Sequence, residues 1–342
     1  MENKPFCSVV MPVYNGAETL KEAIDSVLSQ TYENFELIIV NDGSTDNTLN
    51  IIKSYTDDRI VIINNEVNQT IVPCLNRGLK ESNGKYVIRM DADDICVESR
   101  FQKQVLFMEK HPDIGICGSW AKSINLEGDN IGLMKYEKDD NIIKFKMLYE
   151  CHLLHPAIII RKEILIENRL AYNPRHYISE DYDLFTRLID YTKFSNIQEP
   201  LLLYRSTETS LERETTNKLD EYYSEIKLKL FKNIGIEINK SQLNLYSLIC
   251  NQSFFSEKDL LLKAIKLLEE LINANKKSKY FPVEEFNQYH QSIGDNLCRN
   301  YGSINFFIVK TFYKSNLDHT FYKKSKIVLI LFLKIILQIF KK

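Results

Sequence analysis

The stretch KYVIRMDADDICVESR, Lys85 to Arg100, runs from an apolar segment into three carboxylates within four positions, Asp91, Asp93 and Asp94. The apolar part has the length and composition of a buried strand, and the acids stand where that strand would end. One of them could cap a following helix. Three together repel one another unless a cation offsets the charge. Carboxylates one residue apart at a strand-to-loop transition can share a divalent cation such as Mg²⁺, which takes oxygen ligands and keeps phosphate oxygens and waters in its shell. The segment reads as a seat for a metal-bound diphosphate.

Outward from this point, residues 6 to about 125 alternate β-rich runs with helical ones. The strands predicted are CSVVMPVY at 7–14, FELIIVND at 35–42, RIVIINN at 59–65, KYVIRMD at 85–91 and IGICGSW at 114–120. Between them, segments 17–30, 45–55, 69–82 and 97–111 carry apolar residues at helical spacing. Strands apolar on both faces imply helices on both sides of a mostly parallel sheet. The predicted fold class is therefore α/β, doubly wound, and ligands in such sheets bind outside the carboxyl ends of the strands. Three of those ends are polar: VYNG at 13–16, NDGSTD at 41–46 and DADD at 91–94. Helix capping by Ser44 or Thr45 is one reading of NDGSTD, but it does not need Asp42.

Bulk properties exclude several classes. The chain has 342 residues and 44% hydrophobic content, enough for a sizeable core and an appendage or second domain. With 44 basic and 46 acidic residues, nothing in the balance suggests a nucleic-acid partner. Seven scattered cysteines without a C-x-x-C pair read as reduced core residues of a cytoplasmic protein. No long apolar stretch follows Met1, so no signal peptide is expected.

With VVMPVYN, IIVNDGSTD and RMDADD in that order and spacing, residues 6 to about 205 resemble the family 2 glycosyltransferases, which have a nucleotide-sugar-binding fold of the GT-A type. The resemblance implies that Pro12, Val13, Tyr14 and Asp42 line a uridine pocket. It puts the D-x-D motif on Asp91 and Asp93, with Asp93 binding Mn²⁺ or Mg²⁺ directly and Asp91 facing the ribose or a metal-bound water. The E-D pair in HYISEDYDLFTRLI at 176–189 falls on Glu180 and Asp181, and Asp181 is the implied catalytic base. The same two acids could serve only to favour a helix start. His155 and Pro156, in HLLHPAIIIRKE at 152–163, match a loop-and-strand next to the acceptor, and EPLLLYRSTETS at 199–210 resembles the family's closing strand. Arg205 belongs to a Y-R pair and is expected at the diphosphate, because the His that often follows in relatives is Thr207 here. Arg89, Arg100 and Gln104 match a subset of the family, many of whose members build bacterial surface polysaccharides. A departure occurs where relatives have Asn-x-Gly: this chain has Asn68, Gln69 and Thr70.

Residues 1–210 are expected to form the catalytic domain, 211–319 a helical region and 320–342 a basic amphipathic tail. The tail's apolar core, Ile327 to Phe340, is interrupted by Lys334 and Gln338 and is shorter than the about 20 residues needed to span a bilayer. Flanking lysines suit a helix lying in an anionic interface, and docking on the protein's own core is the alternative.

Together these readings predict a metal-dependent inverting transferase that moves a hexose, taken to be glucose, from a UDP-sugar donor to a lipid-linked (undecaprenyl diphosphate) saccharide acceptor in O-antigen or capsule biosynthesis. It would form a β linkage and associate peripherally with the cytoplasmic face of the inner membrane, with no nucleic-acid partner. GalNAc, GlcNAc or galactose transfer in the same pathway class and a non-catalytic nucleotide-binding scaffold are the alternatives. A nucleotidyltransferase is disfavoured because PVYNGAETL holds one glycine where a triphosphate loop would be Gly-rich. A glycosidase is disfavoured because its paired acids act across a sugar without a nucleotide pocket.

Overall fold

The computed structural model describes residues 6–206, 216–251 and 258–300. These form two compact units, one of residues up to Tyr223 other than Leu148–Glu150, the other of Leu148–Glu150 with the residues from Ser224 on.

The first unit is a nine-stranded mixed sheet with helices packed on it. Its strands are β1 (Cys7–Val13), β2 (Phe35–Asp42), β3 (Ile60–Asn65), β4 (Tyr86–Arg89), β5 (Ile95–Cys96), β6 (Ile114–Ile124), β7 (Asn130–Met134), β8 (Ile159–Arg161) and β9 (Lys193–Arg205). The helices are α1 (Leu20–Leu28), α2 (Thr48–Lys53), α3 (Ile71–Glu81), α4 (Arg100–Lys110), α5 (Asp140–Lys146), α6 (Lys162–Glu167) and α7 (Glu180–Leu188). The strand order is β3-β2-β1-β4-β8-β6-β9-β5, with β7 on β6. The pairs β3/β2, β2/β1 and β1/β4 are parallel, as the alternating pattern predicted. β8 then enters antiparallel between β4 and β6, and β9 runs parallel to β6.

Every residue of β1 and β2 is buried, which explains their continuous apolar runs. Among the buried polar residues of these strands, Glu36 is satisfied by the Ser8 hydroxyl at 2.6 Å and the Asn83 N–H at 2.7 Å. α1 buries Leu20, Ala23, Ile24 and Val27, the i, i+3, i+4, i+7 stripe of a helix on a sheet. α3 lies so close to β1 that a Cβ on Gly78 would fall 2.3 Å from Val10 Cγ1. This packing fixes where the carboxyl ends of β1, β2 and β4 emerge.

The second unit is helical: α8 (Thr216–Ile234) leads into it, followed by α9 (Lys240–Cys250), α10 (Lys258–Ser278) and α11 (Val283–Asn300). α9 starts with a capping box, in which the Asn239 side chain accepts the Gln242 N–H and the Gln242 side chain accepts the Asn239 N–H, both at 3.0 Å. In its core the Tyr246 hydroxyl meets His290 Nε2 at 2.7 Å, while His290 Nδ1 donates to the Phe286 carbonyl at 2.9 Å. Burial pushes His290 down to about 4. Among the described residues no helix is long and apolar enough to cross a membrane. The 320–342 tail and Thr207 lie outside the described residues.

Candidate active site

The polar strand ends predicted from sequence fold into interlocked turns. After β1, Asn15 adopts φ 50°, a conformation its short polar side chain tolerates. Its Oδ1 accepts the Thr45 N–H at 2.8 Å, and its own N–H donates to Ser44 Oγ at 2.9 Å. Gly16 N–H goes to Thr48 Oγ1, and Ala17 N–H to Asp46 Oδ2. So Ser44 and Thr45 do not cap α2; they tie the two loops together. Pro12 and Val13 are buried at the end of β1, whereas Tyr14 is 51% exposed. Its ring is surface, not core.

Asp42, buried at the end of β2, spends both oxygens on a third loop. Oδ1 accepts from the Gln69 N–H at 2.9 Å and the Asn65 side chain at 2.8 Å; Oδ2 accepts from the Thr70 N–H at 2.9 Å. The backbone so held is unusual. Thr70 has φ 77° and ψ 170°, a region occupied almost only by glycine. This is where relatives were expected to carry Asn-x-Gly, and the departure leaves a β-branched residue in the glycine conformation. Gly43 permits the close approach: it has φ 68°, and a Cβ there would lie 2.6 Å from the Val67 carbonyl carbon.

After β4, the carboxylates of Asp91, Asp93 and Asp94 lie with ligand oxygens within 4.8 Å of one another. Asp91 is partly exposed and ion-pairs with Arg89. Burial, then the Asp91 charge, pushes Asp93 up to about 6. Asp94 is 1% exposed and pushed well above the usual carboxylate range by burial and by both neighbours. Its Oδ1 accepts the Arg205 N–H at 2.8 Å, and its Oδ2 has no hydrogen-bond partner. Arg205, expected at the diphosphate, is instead a strut: Nε donates to the Asp93 carbonyl, Nη1 to the carbonyls of Asn125 and Leu126, and Nη2 to Glu22. Its side chain is 2% exposed and turned into the protein, so it shapes the aspartate turn from beneath.

The E-D pair opens α7. Glu180 is pushed up to about 8 by burial and by the negative charge of Asp181. His155 Nδ1 lies 3.7 Å from Glu180, and His155 Nε2 is 2.8 Å from the Tyr172 hydroxyl. Burial and the Arg89 charge hold this imidazole well below its usual range, hence neutral. Pro156 is buried in the short 3₁₀ turn His155–Ala157. Asp181 accepts the Tyr182 N–H at 2.6 Å. The two acidic groups are thus electrostatic neighbours, with the Arg89 cation felt by Asp91, Glu180 and Tyr172. Tyr172, from the loop after α6, escaped sequence reading; it sits in no motif, and Asn76 pins its backbone through both N–H and C=O. Arg100 and Gln104 are fully buried and face away from this chemistry: Arg100 donates to the Arg89 carbonyl and Gln104 to that of Ala157.

Comparison with known proteins agrees with this architecture. The family described as Glycosyl transferase family 2 matches residues 8–168. The uncharacterized glycosyltransferase MJ1057 of Methanocaldococcus jannaschii is 37% identical over 235 residues, covering 65% of this chain and 79% of the relative. The O-antigen biosynthesis glycosyltransferase WbnJ of Escherichia coli is 32% identical over 204 residues, covering 58% and 78%. The crystal structure of S. aureus TarS 1-349 in complex with UDP-GlcNAc superposes with a TM-score of 0.57 at 18% identity, covering 85% of this chain and 89% of that one, which establishes the shared fold. The mostly parallel first half of the sheet, the acidic turn after β4 and these relatives have one common explanation: the chain belongs to the family 2 glycosyltransferases.

Proposed function

We propose that this protein is a metal-dependent inverting hexosyltransferase that takes glucose from a UDP-sugar and adds it in β linkage to a saccharide carried on undecaprenyl diphosphate, in O-antigen or capsule assembly. The observation that carries the reading is the Asp91–Asp93–Asp94 cluster beside the Glu180–Asp181 pair. The donor set fits a divalent cation. Its ligands are hard oxygens, burial and then the charge of the neighbouring aspartates raise Asp93 and Asp94, and a buried oxygen of Asp94 lacks a partner. Asp93 and Asp91 would hold Mn²⁺ or Mg²⁺, which when bound neutralises the departing diphosphate. Asp181 accepts the acceptor hydroxyl's proton. Glu180 keeps its own proton at neutral pH, leaving the role of base to its neighbour. Pro12, Val13 and exposed Tyr14 offer surface to the uracil, and Asp42 borders it by holding the 69–70 amides. TarS in complex with UDP-GlcNAc supports a UDP donor, and the O-antigen role of WbnJ supports the acceptor class. We place the domain boundary near residue 210 and assign the 320–342 tail to peripheral attachment at the cytoplasmic face of the inner membrane.

The test is a panel of UDP- and GDP-sugars with Mn²⁺ or Mg²⁺ and a synthetic saccharide diphospho-lipid, scored by product mass, with Asp93→Ala and Asp181→Ala alongside. Expected is one hexose added from a UDP-sugar and lost in both variants. Metal-dependent UDP binding without transfer from any donor would instead identify a nucleotide-binding scaffold.

A further inference from the structure

Glu180 and Asp181 stand in the first turn of α7, and a closed circuit of contacts runs around them. Asp183, two residues on and with its side chain 9% exposed, accepts from Arg187 Nε at 2.9 Å. Arg187 Nη2 lies 2.7 Å from the same carboxylate oxygen and donates to the Ala171 carbonyl at 2.7 Å. Ala171 leads into Tyr172, whose hydroxyl meets His155 Nε2 at 2.8 Å, and His155 Nδ1 lies 3.7 Å from Glu180. The circuit therefore returns to the turn it left. Asp183 is held from a second side by His176, whose Nε2 is 3.7 Å from its other oxygen, and the Asp183 N–H donates to the Ser179 carbonyl, just ahead of the acidic pair, at 3.0 Å.

An exposed i, i+4 ion pair contributes little and fixes nothing beyond its own helix. Here the carboxylate is buried and the guanidinium spends its second contact on another segment of the chain, so the pair ties α7 to the loop at 171–172. That loop is fixed from behind, because Asn76 of α3 holds both the N–H and the carbonyl of Tyr172. The place of the acidic pair is thereby referred to a helix packed on the sheet. A base takes the acceptor's proton only from within hydrogen-bond reach of the attacking hydroxyl, and a misplacement of about 1 Å costs up to about 100-fold in rate. Resting on the glycosyl-transfer reading above, we propose that Arg187, acting with Asp183, is a positioning residue that sets the first turn of α7, and so the Asp181 carboxylate, at the distance proton abstraction needs. The donor side of the site belongs to the ends of β1, β2 and β4, so the loss of this tie falls on kcat and not on the donor KM.

The experiment is steady-state kinetics with the UDP-sugar and diphospho-lipid saccharide that give product in the panel above, on wild type, Arg187→Met, Arg187→Lys, Asp183→Asn, the double variant Asp183→Asn/Arg187→Met, and Arg59→Met. Arg59 is the matched control: it too joins a carboxylate, Asp57, to a backbone carbonyl, that of Leu28, but it stands just before β3, at the opposite end of that strand from the site. Urea unfolding followed by Trp120 fluorescence reports what each variant costs the fold. Arg187→Met and Asp183→Asn should each lower kcat about 10- to 100-fold, with the donor KM within about threefold of wild type. The double variant should be no worse than the poorer single, since the two residues act as one unit. Arg187→Lys should fall between, because an ammonium keeps the charge but lacks the planar fork that reaches both carboxylate and carbonyl; it decides the matter if Arg187→Met does not fold. Arg59→Met should keep kcat within about threefold whatever stability it loses. A wild-type kcat in Arg187→Met or Arg187→Lys, a fall in kcat matched by a rise in donor KM, or an equal loss in Arg59→Met would overturn the proposal. Wild-type protein that transfers no sugar from any donor would overturn the glycosyl-transfer reading itself, a different result from an active wild type indifferent to Arg187.

Discussion

Thr70→Gly should stabilise the α/β unit, against the usual rule that glycine weakens a fold. Thr70 sits at φ 77° and ψ 170°, where a non-glycine residue stores about 1–3 kcal/mol of strain. Glycine removes the Cβ clash but gives the unfolded chain more freedom, which costs about 0.4–1 kcal/mol. The Thr70 side chain is exposed, so little packing is lost. The balance is a gain of about 1 kcal/mol, or about 2–4 °C for a unit of this size. Trp120 is the sole tryptophan and lies in β6, so its fluorescence during urea unfolding reports this unit alone. Thr70→Ala is the control, because alanine keeps the Cβ and therefore the strain. A glycine variant no more stable than the alanine variant would refute the argument, and would mean that Asp42 and Asn68, which both accept the Thr70 N–H, do not hold a strained backbone.

Three further outcomes are expected. Glu180 titrates near 8 when folded and near about 4.3 when unfolded; the folded state therefore retains a proton that the unfolded chain releases, and stability falls as pH rises between the two values. Glu180→Gln should abolish that decline, gaining on the order of a few kcal/mol at pH 8 by Trp120 fluorescence. His290 has the opposite sign of dependence: it resists protonation down to about 4 when folded but only to about 6.5 when unfolded. The helical unit should lose about 3 kcal/mol as pH drops through that window, followed by far-UV circular dichroism, and His290→Gln should flatten the slope. Arg205→Met should cost about 3–5 kcal/mol by stranding buried partners and weaken Mn²⁺-dependent UDP binding, whereas Glu22→Gln, whose side chain is 57% exposed, should cost under about 1 kcal/mol in the same assays.

What the sequence disclosed follows the range of each interaction. β1, β2 and β4 were legible because burial on both faces writes an uninterrupted apolar run, and their boundaries lie within two residues of those predicted. β7 was not placed, and β8 and β9 were reached only through the resemblance, as a strand within 152–163 and a closing strand at 199–210, since β8 has three residues and its antiparallel entry between β4 and β6 depends on partners far away in the chain. The clustering of acids after β4 was legible because three carboxylates within four positions must lie close together. The use of Asp42 was not: its partners are backbone amides 27 and 28 residues on, and amides leave no mark in a sequence. Arg205 misled for a related reason. A basic residue near a diphosphate seat invites a phosphate role, and only the positions of the Asn125 and Leu126 carbonyls show that its donors are spent.

That strut has a consequence for the order in which the molecule assembles. The Arg205 N–H holds Asp94 and its Nε holds the Asp93 carbonyl, 111 and 112 residues away in the chain. Residues 8–168, the span shared with the family at large, contain the three aspartates but neither this arginine nor α7. A nascent chain that has released only that span can pair β1 with β2 and β4, yet its aspartate turn has nothing beneath it. The loop closes when β9 docks beside β6, and such non-local closure carries an entropy cost that local pairing does not. The acidic turn therefore gains its Arg205 hydrogen bonds only once the last strand of the sheet, β9, has been made.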